Sequence, residues 1–191
     1  LILPSGTGTT HILVYATKSW NAHFVEKVDW ASIDRLTGKE NSEIIFSHAA
    51  NYGVNREVQL AFETEEHLCD TITLVQTGEI SAGDARLIIN EQNVETSAST
   101  TTLELELDTN LKYDLHRVNY LVTYESDEIE NNWIKEVSYD MGHLYLKLET
   151  NPAYAPRVAE ISLSISIPAN AINTAPKIVT TSTMITQQGK E

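Results

Sequence analysis

Apolar and polar residues alternate with a period of two along most of this chain. Leu103, Leu105 and Leu107 stand against Glu104, Glu106 and Asp108, and Leu144, Leu146 and Leu148 against Tyr145, Lys147 and Glu149. The longest run sets Ile161, Leu163, Ile165 and Ile167 against Ser162, Ser164 and Ser166, and Pro168 ends it. Leucine favours helices, yet on a helix this alternation would smear apolar groups around the whole surface. On a strand it gives one buried and one solvated face, as antiparallel sheets have. The first half shows the same period in Val58, Leu60 and Phe62 against Glu57, Gln59 and Ala61, and in Ile72 and Leu74 against Thr71, Thr73 and Val75. Residues 10–16, 20–25 and 42–47 add runs rich in β-branched and aromatic side chains, and Lys177 to Gln187 supplies the last strand. Residues 1–10, rich in Gly, Thr and Ser, read as a loose lead or an added edge segment. No segment longer than a turn or two carries a helical stripe.

The landmarks of the first half return in the second in the same order. Asp29-Trp30-Ala31, Asn55-Arg56-Glu57-Val58 and Ile72-Thr73-Leu74-Val75-Gln76-Thr77-Gly78 are answered by Asn132-Trp133-Ile134, Ala155-Pro156-Arg157-Val158 and Met184-Ile185-Thr186-Gln187-Gln188-Gly189. Trp to Arg is 26 residues in the first copy (56 minus 30) and 24 in the second (157 minus 133); Arg to Gln grows from 20 (76 minus 56) to 30 (187 minus 157). An insertion in the loop at 168–176 accounts for that growth most simply. A repeated supersecondary unit must bury its own apolar faces. The expected architecture is therefore all-β, two tandem immunoglobulin-like β-sandwich domains of about seven strands each, spanning 1–80 and 81–191. The Gly- and acid-containing stretch 77–84 is the boundary. A single larger sandwich is the alternative, and the repeated order speaks against it.

Composition narrows the partners. The chain has 41% apolar and 21% charged residues, the balance of an ordinary folded protein. Its formal charge of −14 is spread over both copies, with 5 basic and 11 acidic residues through Ile80 and 8 and 16 after it. Such a surface repels phosphate backbones and anionic lipid headgroups, so nucleic acid and membrane surfaces are not expected partners. No run of about 20 apolar residues is present to span a bilayer. The first residue is Leu1, which reads as a mature or trimmed start whose export signal is already missing. The single cysteine, Cys69, makes no internal disulfide, and its role is left open.

An early aromatic strand, a mid-unit Trp, a Gly turn, an Asn-rich loop entering an Arg-initiated strand, and a final Ile-Thr-x-x-Gln-x-Gly strand together resemble the BACON domain family. These are β-sandwich modules associated with Bacteroidetes and often placed N-terminal to carbohydrate-active domains. The matching positions are Trp20, Trp30, Gly38, Asn51, Arg56, Gln76 and Gly78 in the first copy, and Tyr113, Trp133, Gly142, Asn151, Arg157, Gln187 and Gly189 in the more divergent second. The resemblance implies export to the periplasm or outer-membrane surface, with lipid anchoring through a missing N-terminal segment. It further implies a glycan as partner. A cell-surface protein is the other expected partner, and no cofactor and no enzymatic activity are expected, because every recognisable position serves folding. A monomer is expected.

The candidate residues divide between packing and recognition. Trp30 and Trp133 are expected in the core, with sugar stacking as the alternative; Trp20 and Tyr113 are read the same way. Tyr52 and Tyr154 lie in the loop ahead of the Arg strand, close to Asn51 and Asn151. There they fix a corner through their hydroxyls or, alternatively, stack on a pyranose ring beside an amide. Arg56 and Arg157 are expected to close a cross-strand salt bridge or cap an acidic edge, with anion binding as the alternative. His67 and Cys69 share one face of a strand, but a nucleophilic pair also needs an orienting third group and a pocket. His11, His23, His48, His116 and His143 have no zinc spacing. Asp127, Glu128 and Glu130 form an acidic loop without the alternating ligands and central Gly of a calcium loop, so a solvated turn is expected. No catalytic, metal or cofactor residue is assigned, and the ligand-binding residues are left unknown. The leading reading is a non-catalytic spacer or interaction unit; a carbohydrate-binding module, or an adhesin or assembly subunit binding a protein, are the alternatives.

Overall fold

The computed structural model describes residues 1–66, 69–125 and 132–191. It is all-β apart from a three-residue 3-10 turn at Leu115–Arg117. The chain divides into two compact units, Leu1–Ala82 with Pro168–Ala175, and Gly83–Ile167 with Pro176–Glu191.

The first unit carries β1 (Ile2–Leu3), β2 (Gly8–Val14), β3 (Ser19–Phe24), β4 (Ala31–Ile33), β5 (Thr37–Lys39), β6 (Ser42–His48), β7 (Arg56–Thr64) and β8 (Cys69–Gln76). They form a five-stranded sheet in the order β1-β8-β7-β3-β5 and a three-stranded sheet in the order β2-β6-β4. The second unit carries β9 (Leu87–Ile89), β10 (Asn93–Thr96), β11 (Thr102–Thr109), β12 (Asn119–Tyr124), β13 (Ile134–Tyr139), β14 (His143–Leu148), β15 (Arg157–Ile167) and β16 (Lys177–Gln187). Its sheets run β10-β16-β15-β12 and β13-β14-β11-β9. All ladders are antiparallel except β1 on β8 and β10 on β16, which run parallel at equivalent places. Each unit is an immunoglobulin-like sandwich.

The alternation in the sequence is the alternation of burial. Ile161, Leu163, Ile165 and Ile167 are each fully buried, while the serines between them are not. Fully burying one such side chain contributes roughly 1.5–3 kcal/mol. A one-residue slip of β15 would turn all four outward, so its register is strongly fixed. The first core is built from Leu3, Trp20, Ala22, Ile44, Phe46, Val58, Leu60 and Leu74. Two residues break the period: Ala61 and Val75, expected on the solvated face, are also buried.

Among the described residues each unit has eight strands where about seven were expected, because the short pieces β1, β4, β5, β9 and β10 carry too few residues to show a period. The lead segment is an edge strand, β1, whose Leu3 is buried. The longer Arg-to-Gln spacing is only half a loop insertion. Of the ten added residues, β15 exceeds β7 by two (11 minus 9) and β16 exceeds β8 by three (11 minus 8), leaving five for the connection.

Candidate functional site

The five landmarks that repeat most closely come together at one corner of each unit. Arg56 opens β7 opposite Gln76, the last residue of β8, and Arg157 opens β15 opposite Gln187, the last residue of β16. The Arg56 Nε donates to Gln76 Oε1 at 2.9 Å and the Arg157 Nε to Gln187 Oε1 at 2.8 Å. Each guanidinium also donates to loop carbonyls, those of Ala49 and Ala50 in the first unit and of Glu149 in the second. Each lies over a Trp ring, Arg56 at 4.2 Å from the Trp30 centroid and Arg157 at 4.6 Å from that of Trp133. A guanidinium suits this place because its planar fork serves several acceptors while its face stacks on an aromatic ring.

The glutamine amide completes the knot. Gln76 Nε2 faces the carbonyls of Pro4 and Ala49 and the Nδ1 of the buried His48, at 3.1, 2.9 and 2.9 Å. Gln187 Nε2 donates to the carbonyls of Ala98, Thr100 and Glu149. Both glutamines are fully buried, which only a satisfied amide tolerates. Asn51 Nδ2 donates to Val54 O and Thr77 O, and Asn151 Nδ2 to Ala155 O and Gln188 O. The Gly after each Gln lets the chain pass the loop: a Cβ on Gly78 would stand 2.0 Å from Gly53 O, and one on Gly189 2.0 Å from Tyr154 O.

Several expectations are corrected here. The group across the ladder from Arg56 and Arg157 is a neutral amide rather than a carboxylate. Asn51 and Asn151 are buried, and their amides hold their own loops. Tyr154 is 83% exposed and Tyr52 49%, which removes the buried corner role expected of Tyr154. Tyr113 does not stand in for Trp20. It lies between β11 and β12 and is 53% exposed, with Lys112 over its ring. Asn119 pairs with Ser164, so the buried Val118 before it reaches the level of Ile165, as Trp20 does opposite Thr64 once Arg56 is set on Arg157. Nor do Gly38 and Gly142 correspond. A Cβ on Gly38 would strike the Trp20 ring at 2.1 Å, whereas Gly142 serves the β13–β14 turn at φ +147°. Trp133 is buried as expected; Trp30 is half-buried under its arginine.

Cys69 is exposed at the start of β8, while His67 lies outside the described residues, as do Asp127, Glu128 and Glu130. His11 meets Glu43 at 2.9 Å on the surface, and His143 lies 3.4 Å from Glu104. Among the described residues, no three His, Cys, Asp or Glu side chains converge on a point where a metal would sit, and no helix is long and apolar enough to cross a membrane. Burial, then the neighbouring Tyr120, pushes the Tyr139 hydroxyl above its ordinary value, and that hydroxyl donates to Val118 O. The Ile45 N–H donates to Asp34 at 2.8 Å and holds its carboxyl below the usual range.

One cavity went unread in the sequence. At one end of the first unit the sheets part around a cleft of about 630 Å³. Val14, Trp20, Phe62 and Ile72 give it apolar walls, and Lys18, Glu66 and Asp70 stand among its lining residues.

No known protein-family profile matches the chain. No curated protein sequence matches it. Among solved structures it is similar to a Bacteroides ovatus GH5 xyloglucanase in complex with a XXXG heptasaccharide, at 14% identity and a TM-score of 0.38, over 41% of this chain and 17% of that one. It is similar to human protocadherin-24 EC1-2, at 9% identity and a TM-score of 0.41, over 100% of this chain and 93% of that one. It is also similar to the titin domains Z1Z2 in complex with telethonin, at 8% identity and a TM-score of 0.36, over 100% and 93%. The immunoglobulin-like assignment rests on the ladders themselves.

Proposed function

We propose that the chain is a non-catalytic interaction module of an exported surface protein that handles glycans, as the BACON resemblance implies. One observation carries this reading. Trp30, Asn51, Arg56, Gln76 and Gly78, and Trp133, Asn151, Arg157, Gln187 and Gly189 in the second copy, are all engaged in closing their own sandwich. What the halves share is architecture, and recognition falls to surfaces that differ between them. The reading is tested by assaying the full chain for hydrolase, lyase and transferase activity on plant, host and mucin polysaccharides. Inactivity on all of them is expected, and turnover of any one overturns the reading.

The exposure of Tyr52 and Tyr154 favours a second reading, a carbohydrate-binding module that stacks sugar on loop aromatics. Affinity electrophoresis separates the two. Retardation on a glycan that is lost in Tyr154→Ala or Tyr52→Ala supports sugar binding, and unretarded migration on every glycan supports the spacer.

A further inference from the structure

We propose that the second sandwich is built to carry tension along the chain, with the parallel β10–β16 ladder as its clamp and the Arg157–Gln187 knot as the anchor of the strand that takes the pull. This goes beyond the interaction-module reading by giving the fold itself a mechanical task, and it holds whether or not a glycan binds.

The chain enters and leaves this unit at opposite ends of its strands. Lys177 Nζ donates to Gly83 O, so the entry at Gly83 lies beside the first residue of β16. The exit lies beyond Gln187, the last residue of that 11-residue strand. Asn93 stands opposite Met184 and Thr96 opposite Gln187, so β10 and β16 point the same way. Tension between entry and exit therefore draws β10 towards one end and β16 towards the other, along their common direction. The hydrogen bonds of a ladder run between its strands. Sliding one strand past the other strains all of them together, whereas prising the strands apart from one end breaks them in turn. First and last strands that ran antiparallel would be unzipped by the same pull. On the entry side β9 comes before β10 and is drawn in the same sense, because β11 starts beside the exit, where Gln187 holds Thr100 O, and ends opposite β9.

The knot sits where the pull arrives. Gln187 Nε2 donates to Ala98 O and Thr100 O, in the segment that follows β10, and to Glu149 O just after β14. Gln187 Oε1 accepts from Arg157 at the head of β15. Just beyond, Gln188 N donates to Thr96 O, Asn151 Nδ2 to Gln188 O and Lys190 N to Ala153 O. A pull on the exit is thus shared among β10, β14 and β15 before it reaches the body of β16. The Gln187 side chain is fully buried, so water does not compete for its bonds. The first unit repeats the plan, with β1 parallel to β8 and Gln76 joined to Pro4 O, Ala49 O and Arg56.

Single-molecule pulling on the full chain from its two termini tests this. The second unit is identified by the length it releases, about 340 Å for the 94 steps from Asn93 to Gln187 (187 minus 93) at about 3.6 Å each, against about 270 Å for the 74 from Ile2 to Gln76 (76 minus 2). Unfolding under force reports the unfolding barrier rather than the equilibrium. Gln187→Ala makes the second unit unfold about tenfold faster at fixed force. Leu144→Ala, a truncation of a fully buried side chain in the opposite sheet, costs at least as much at equilibrium and changes that rate by less than about threefold. Pulling instead across the ladder, through handles at Asn93→Cys and Met184→Cys in a Cys69→Ser chain, breaks the same bonds in turn and unfolds the unit at a lower force. Equal forces in the two directions overturn the proposal, and so does a Gln187→Ala effect no larger than that of Leu144→Ala. The comparison of directions keeps the knot unaltered, so it decides the matter even where Gln187→Ala does not fold. Glycan migration is read in a separate assay, so either reading can fall alone.

Discussion

In the first unit Gln76 draws together Pro4, His48 and Ala49, and in the second Gln187 draws together Ala98, Thr100 and Glu149. The arginine, the tryptophan beneath it and the glycine beyond the glutamine are common to both. Away from that corner the units part. The first fills its interior with Trp20, packed edge-on to Phe62 at 5.8 Å and roofed by Gly38; the second has Val118 there and needs no such glycine. The second unit pairs β9 along its β11 edge. A duplicated sandwich keeps the residues that tie its last strand to its loops and varies the filling.

The largest break in this comparison comes from the filling. Trp20→Ala destabilises the protein by about 3–5 kcal/mol, the range for removing a buried Trp, with exchange accelerating in the first unit. Chemical denaturation of the full chain measures it, and a loss below 1 kcal/mol would show that Trp20 is dispensable. Gly38→Ala follows from the same contact at about 1–3 kcal/mol through overpacking. Suppression by the double change Trp20→Phe, Gly38→Ala would sharpen it. The shared corner responds symmetrically. Arg56→Lys and Arg157→Lys each lose the forked donors and the ring stack, at about 1–2 kcal/mol apiece, and near-equal midpoint shifts are the check. The smallest effect separates the copies by pH. Asp34 is held below the ordinary carboxylate range in the folded state, first by the Ile45 N–H. Its contribution is therefore present above the unfolded value and lost as pH falls through the folded one. Asp34→Asn flattens the acid limb of the stability curve slightly and leaves neutral pH nearly unchanged.

Much of this was legible in the chain. Long alternating runs such as 161–167 fix both strand and buried face because the side-chain period of a strand is two. The repeated Trp, Arg, Gln and Gly mark the corner because they keep their order. What lay beyond reading was of two kinds. The partner of Arg56 is an amide from the neighbouring strand, and nothing in residue type distinguishes it from a surface carboxylate before the ladder sets the register. Tyr113 follows Leu103 by ten residues (113 minus 103), as Trp20 follows Thr10 (20 minus 10), yet a 3-10 turn at Leu115–Arg117 moves the buried position to Val118. Strands of two to four residues, β1 and β9 among them, show no period, so they emerged only from pairing.

The central claim is that one structural knot occurs twice, each closing its own sandwich. Amide exchange measured residue by residue in Gln76→Ala and Gln187→Ala tests it most directly. Each change leaves buried carbonyls without a donor, and the expected loss is about 2–3 kcal/mol, concentrated in β7–β8 for the first variant and β15–β16 for the second. Equal loosening of both units by either variant, or no loosening by one of them, would contradict it.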